Sequence, residues 1–191
     1  MKRSEINEVI RASRQFFEQN GWTLPPAPRW DVTDFGLGSF STAGLVLVNL
    51  AEEPEYCEKL MYATCNQVTP AHTHQKKKED IICRTGTLHI QLWAQDPAKH
   101  HNQESIQVKV NGAYQKIASG EVLALQAGER VTITPGTWHA FYPASEECII
   151  GEVSTANDDL HDNFFSDPNI GRYSDITEDE PAIVKLLSDK L

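Results

Sequence analysis

His72 and His74 are separated by one residue. On an extended strand such positions face the same way, so the two imidazoles can chelate a single ion. Glu79 follows five residues after His74, close enough to return an oxygen ligand from the start of the next strand. His139 closes the run Pro135-Gly136-Thr137-Trp138-His139, where a tight turn launches a strand and projects a fourth donor. Three imidazoles and one carboxylate suit Mn, Fe, Co, Ni or Zn, with one or two positions left for water or substrate. Any one of these histidines alone is more often a surface or satisfied core residue than a ligand. The weight lies in the joint pattern: HxHxxxxE, Gly86 seven residues beyond Glu79, then PGxxH entering a later strand of a β-rich chain.

Other residues could move protons beside such an ion. Lys76-Lys77-Lys78 reads by default as a solvated loop. Lys77 nevertheless shares parity with Glu79 and can face the same centre. A nearby divalent cation would depress its amine pKa and make it a better proton shuttle. Lys59 lies in CEKLMYATCNQV, where a lysine between apolar neighbours either snorkels to a rim or points at substrate. Glu152 closes the last long strand, as an edge carboxylate facing water or as a site group. Asp158 and Asp159 either cap a turn or supply a carboxylate to the site, and Asp175 is a more distant candidate. His89, His100, His101 and His161 have no ligand spacing. Trp93 and Trp138 read as barrel packing rather than sugar platforms, although Trp138 beside His139 could do either.

These groups need a scaffold, and the pattern of the chain supplies one. Ser4 resembles an N-cap, and Ile6, Val9, Ile10, Phe16 and Phe17 recur at helical spacing up to the stop Asn20-Gly21, which predicts a helix over 5–19. Leu24-Pro25-Pro26-Ala27-Pro28 cannot be helical and reads as an extended arm. From about residue 43, β-rich runs follow at 44–49, 57–68, 81–84, 87–93, 106–110, 113–117, 121–125, 130–134 and 147–153. Asn111-Gly112 predicts a type I′ hairpin. Many short strands at regular spacing predict a sandwich or a jelly-roll barrel. Beyond Val153 the segment is polar and acidic, an ordered loop anchored by Phe164, Phe165, Ile170 and Tyr173. Thr177-x-x-Glu180 fits a capping box ahead of a short C-terminal helix ending near Ser188. The expected organisation is one domain over 1–191: helix and arm 1–42, β-barrel 43–153, acidic loop and helix 154–191.

The formal net charge of -10 argues against the basic face that nucleic acid or anionic lipid would need. Cys57, Cys65, Cys83 and Cys148 form no CxxC pair and read as small, reduced hydrophobes. The N-terminus has no apolar signal core, and no apolar run approaches ~18 residues, so a soluble cytoplasmic protein is expected.

The metal pattern resembles the cupin superfamily. Its first motif is matched by His72-Thr73-His74-Gln75-Lys76-Lys77-Lys78-Glu79 with Gly86, its second by Gly128 with Pro135-Gly136-Thr137-Trp138-His139. The proline directly precedes the glycine, and the asparagine often found after the last histidine is absent, but neither departure removes a ligand. Within cupins the chain resembles the D-lyxose isomerase family. NGWTLPP, WDVTDFG, Glu58-Lys59-Leu60, HTHQKKKEDIICRTG, PGTWHAF and Gly151-Glu152-Val153-Ser154 running into Asn157-Asp158-Asp159 carry that likeness over nearly the whole chain. The resemblance implies an all-β double-stranded β-helix with the metal inside. It also implies an Mn2+-dependent isomerase of free sugars, D-lyxose/D-xylulose and D-mannose/D-fructose. Lys77, Lys59, Glu152 and Asp159 become its candidate acid–base groups, and a homodimer its expected state. Acireductone dioxygenases share the same ligand spacing with Fe or Ni, and a non-catalytic sugar- or metal-binding cupin would keep the ligands without the lysines.

Overall fold

The computed structural model describes residues 1–101, 104–155, 158, 161–171 and 175–190. Helix α1 (Arg3–Gln19) turns Ile6, Ile10 and Phe17 to one buried stripe. It starts two residues before the predicted position, with Lys2 as N-cap. The Lys2 N–H is taken by Glu5 at 2.8 Å. Ser4 is not the cap: Asp179 accepts both its N–H (2.9 Å) and its hydroxyl (2.7 Å). The stop falls where Asn20-Gly21 places it, with Gly21 at φ 78°.

Thirteen strands follow among the described residues, in two antiparallel sheets. The larger contains β1 (Arg29–Thr33), β2 (Leu45–Glu52), β3 (Tyr56–Thr64), β5 (Glu79–Thr85), β7 (Ile106–Val110), β8 (Ala113–Ile117), β10 (Arg130–Ile133) and β12 (Glu147–Thr155). Its order is β1-β2-β3-β12-β5-β10-β7-β8. The smaller contains β4 (Thr69–Thr73), β6 (Thr87–Trp93), β9 (Val122–Gln126), β11 (Trp138–Pro143) and β13 (Phe164–Phe165), in the order β13-β4-β11-β6-β9. Neighbours distant in sequence, such as β12 with β3 and β11 with β4, wind the two sheets into the expected double-stranded β-helix.

The run Leu45-Val46-Leu47-Val48 does not alternate with polar residues because both faces of β2 are covered. Leu45, Leu47, Met61 and Ala63 enter the barrel interior, whereas Val46, Val48, Leu60 and Tyr62 pack with Ile6, Ile10 and Phe17 of α1. The arm is more than a connection: its residues 29–33 are edge strand β1, and Trp30 and Val32 join the layer beneath α1. The β7–β8 hairpin turns on Asn111 and Gly112, both at positive φ (51° and 84°), as a type I′ turn requires.

The short C-terminal helix does not form. Among the described residues, the helical structure after the acidic stretch is a 3-10 turn at Ser188–Lys190. Glu180, expected to close a capping box with Thr177, serves α1 instead, accepting from Asn7 at 2.5 Å, and beside it Glu178 pairs with Arg3 at 2.6 Å and Asp179 holds Ser4. The Thr177 backbone bridges to Lys2, and Leu186, fully buried, pairs alongside Trp30. Among the described residues no helix is long and apolar enough to cross a membrane.

Candidate active site

Strands β4 and β11 lie side by side, and in their register His72 is opposite His139. The ring centroids stand 4.0 Å apart. His74, one residue past the end of β4, places its ring 5.2 Å from His72 and 5.6 Å from His139. All three are buried, and ligand-capable nitrogens of the three lie within 4.8 Å of one another.

Backbone carbonyls aim the rings. Nδ1 of His72 faces the Pro70 carbonyl (2.8 Å), that of His74 the Asp162 carbonyl (2.5 Å) and that of His139 the Thr137 carbonyl (3.2 Å). A carbonyl can only accept, so each Nδ1 carries the proton, and Nε2 of a neutral ring is a bare acceptor. Burial, with His139 and His74 alongside, holds His72 well below the ordinary histidine range and so keeps it neutral.

Glu79, at the head of β5, completes the cluster. Its Oε1 lies 3.0 Å from His139 Nε2 and 3.4 Å from His74 Nε2. Burial alone would raise this carboxyl, but the Lys77 ammonium opposes it, and the carboxyl is held well below its usual range. The buried atoms His74 Nε2, His139 Nε2 and Glu79 Oε1 find no hydrogen-bond partner among the described residues. Buried acceptors that face one another without partners call for a cation between them. The three histidines could thus hold a metal, with Glu79 Oε1 turned to the same point.

The other carboxylate oxygen of Glu79 faces a second group. Lys77 is 5% exposed, and its Nζ lies 2.9 Å from Glu79 Oε2 and 3.0 Å from Glu152 Oε1. The lysine run is therefore not uniformly solvated: its middle member turns inward. Lys59 does not snorkel outward. It sits opposite Glu152 in the β3–β12 register, with Nζ 3.5 Å from Glu152 Oε1. Lys59, Lys77, Glu79, Glu152 and the three histidines line one cavity of about 50 Å³. Leu45, Leu47, Met61, Ile81 and Phe141 form its apolar walls, with Phe35 and Phe165.

Several candidates lie elsewhere. Asp159 falls outside the described residues. Asp158 caps a turn, accepting from His161 at N–H and Nδ1 (3.1 and 2.9 Å), and does not line the cavity. Asp175 is exposed, with its carbonyl on the Met1 ammonium. His89 packs edge-on against Tyr142, and Trp93 and Trp138 are cross-strand partners outside the cavity. Sequence reasoning missed Asp162, Asn163 and Thr69. Thr69 and Asn163 line the cavity, while Asp162 holds the loop that carries Lys77. One acidic residue in an acidic loop gave no spacing signal.

The sequence model of the D-lyxose isomerase family matches residues 27–190. The chain belongs to the D-lyxose isomerase family. It is accordingly an isomerase. The D-lyxose/D-mannose isomerase of Escherichia coli O157:H7 is 37% identical over 99% of this chain and 98% of its own length. The D-lyxose ketol-isomerase of Cohnella laeviribosi is 30% identical over 94% of this chain and all (100%) of its own. Among solved structures, the Cellulomonas parahominis L-ribose isomerase with L-ribose superposes with a TM-score of 0.69. It covers 93% of this chain and 98% of that one, and at 17% identity it shows the shared cupin-type fold.

Proposed function

We propose that this member of the family is a metal-dependent aldose–ketose isomerase, interconverting D-lyxose with D-xylulose and D-mannose with D-fructose. The observation that carries the reading is the junction at Glu79. One oxygen of this carboxylate faces a cluster of unpartnered acceptors, and the other faces a lysine–carboxylate pair in the same cavity. His72, His74, Glu79 and His139 are the proposed ligands and Mn2+ the proposed ion. When bound, the ion would supply Lewis acidity toward the carbonyl and the neighbouring hydroxyl of the sugar.

Protein groups move the protons. Glu152, as carboxylate, takes the hydrogen from C2 and returns it to C1. Lys77, as ammonium, hands a proton to O1 and accepts one from O2, so neither group ends changed. Their 3.0 Å separation lets a proton pass between them within the cavity. Lys59, 3.5 Å from the same oxygen of Glu152, orients that carboxylate and offsets its charge. The apolar walls lower the local dielectric, which strengthens each of these interactions. The names of the relatives support the sugar pairs. A homodimer acting in the cytoplasm completes the proposal, since cupins commonly pair.

The test is incubation of purified protein with Mn(II) and D-lyxose under strict anaerobiosis. D-xylulose should accumulate, and D-mannose should give D-fructose. Turnover that consumes dioxygen would move the assignment to the dioxygenase-like cupins. Tight sugar binding with no turnover would leave a binding module.

A further inference from the structure

The segment after β12 delivers Asp162 to the turn between β4 and β5, and this aspartate is 3% exposed. Its carboxylate accepts three successive backbone N–H groups. Gln75 donates to Oδ1 at 2.9 Å, Lys76 to both oxygens at 3.2 Å, and Lys77 to Oδ2 at 3.0 Å. Consecutive N–H groups converging on one anion form a nest, filled here by a side chain of the same protein. The backbone carbonyl of Asp162 separately receives the Nδ1–H of His74.

These contacts do different work. The carboxylate fixes the path of 75–77 and therefore where the Lys77 side chain starts. From there its ammonium reaches between Glu79 Oε2 and Glu152 Oε1. The carbonyl fixes the tautomer and tilt of His74. We propose that Asp162 is a positioning residue that sets the proton-carrying ammonium of Lys77 in register with the imidazole of His74. The inference deepens the isomerase reading and rests on it. The residue is not itself part of the cavity lining, so its effect passes through Lys77 and His74, which are.

The two contacts can be separated, because a side-chain substitution leaves the carbonyl to His74 in place. Asp162→Asn keeps the size and one acceptor oxygen but turns an amide NH2 toward an N–H donor. In the Mn(II)-loaded protein, amide hydrogen exchange at residues 75–77 should accelerate. Turnover (kcat) should fall roughly 10–100-fold, with KM and Mn(II) affinity changing by less than about threefold. The decisive comparison is a double-mutant cycle. In a Lys77→Met background, Asp162→Asn should lower kcat little further, because the group it positions is gone. An equal fold-loss in both backgrounds would overturn the inference. So would a parallel fall of kcat, metal affinity and melting temperature, which marks a residue that only holds the fold. An inactive wild type would sink the isomerase reading instead. Exchange at 75–77 then still decides: unchanged rates in Asp162→Asn remove the positioning role, and faster rates with intact metal affinity support it.

Discussion

Lys77 Nζ and Glu152 Oε1 stand 3.0 Å apart although the residues are 75 positions apart in sequence, and both side chains are buried. A buried pair of this kind is a poor source of stability, because desolvating two charges cancels much of their attraction. It does keep a donor and an acceptor side by side in one buried cavity. Lys59 and Glu79 extend the pair at either end, so positive and negative groups alternate along it.

Removing one histidine from the cluster should remove the metal. His72→Ala, His74→Ala, Glu79→Ala and His139→Ala should each abolish stoichiometric Mn(II) in metal analysis or cut turnover by orders of magnitude. His100→Ala and His101→Ala should leave both unchanged. Full metal content and activity in His139→Ala would refute the proposed ligand set.

Lys77→Met keeps the length of the stem and discards the ammonium. Turnover should drop by roughly 10²–10⁴-fold, the usual loss for an acid–base group, with metal content intact. Wild-type turnover in D2O should place deuterium at C1 of the ketose. Product free of deuterium would replace proton transfer by a hydride shift while leaving the isomerase assignment standing.

The segment that brings Phe165 to the cavity has its own anchor in Asp96. Asp96 accepts the hydroxyl of Ser166, directly after β13, and pairs with Lys99 at 2.9 Å. Burial pushes its carboxyl up, but Ser166, Lys99 and the Ala98 amide outweigh burial and hold it below its ordinary value. A depressed folded-state pKa contributes stability above the unfolded value, near pH 4, and that stability is lost as pH falls through the folded value. The melting-temperature gap between wild type and Asp96→Asn should therefore be full at about pH 6 and shrink progressively below about pH 4. A gap that persists unchanged in acid would show that this carboxylate is not the anchor.

Leu186 tests how the C-terminal tail docks. It is fully buried in the layer with Ile6, Ile10, Phe17 and Trp30. Leu186→Ala should cost about 2–5 kcal/mol in denaturant unfolding, as for a core leucine. A loss within a few tenths of a kcal/mol would mean that the tail is only loosely laid on the surface.

Local rules reached the parts of this molecule that local physics decides. The strand alternation that sets His72 and His74 on one side, the paired positive φ of Asn111-Gly112 and the helix stop at Asn20-Gly21 depend on near neighbours alone. The tail helix failed because Glu178, Asp179 and Glu180 had a competing customer more than 170 residues away, the first turn of α1. Strand β1 was read only as extended because its pairing partner, β2, decides its role. The inward turn of Lys77 followed from parity with Glu79, but its partnership with Glu152 belongs to the β12–β5 register. Asp162 was invisible for the same reason: its function is written in the backbone amides of another segment.

The division of the site between the two sheets has a consequence for how such a site can change. His72 and His139 stand on the smaller sheet and His74 directly follows it, whereas Lys59, Glu79 and Glu152 stand on the larger. Lys77 rides on the link between them. The imidazoles and the proposed acid–base groups are thus borne on separate sheets, with Glu79, the carboxylate among the proposed ligands, standing on the sheet of the acid–base groups. Substitutions in the larger sheet can re-aim the acid–base groups around a sugar of different handedness without disturbing the imidazoles. The architecture lets Lys59 and Glu152 vary under selection apart from the three imidazoles, with Glu79 the one carboxylate that ties the two groups together.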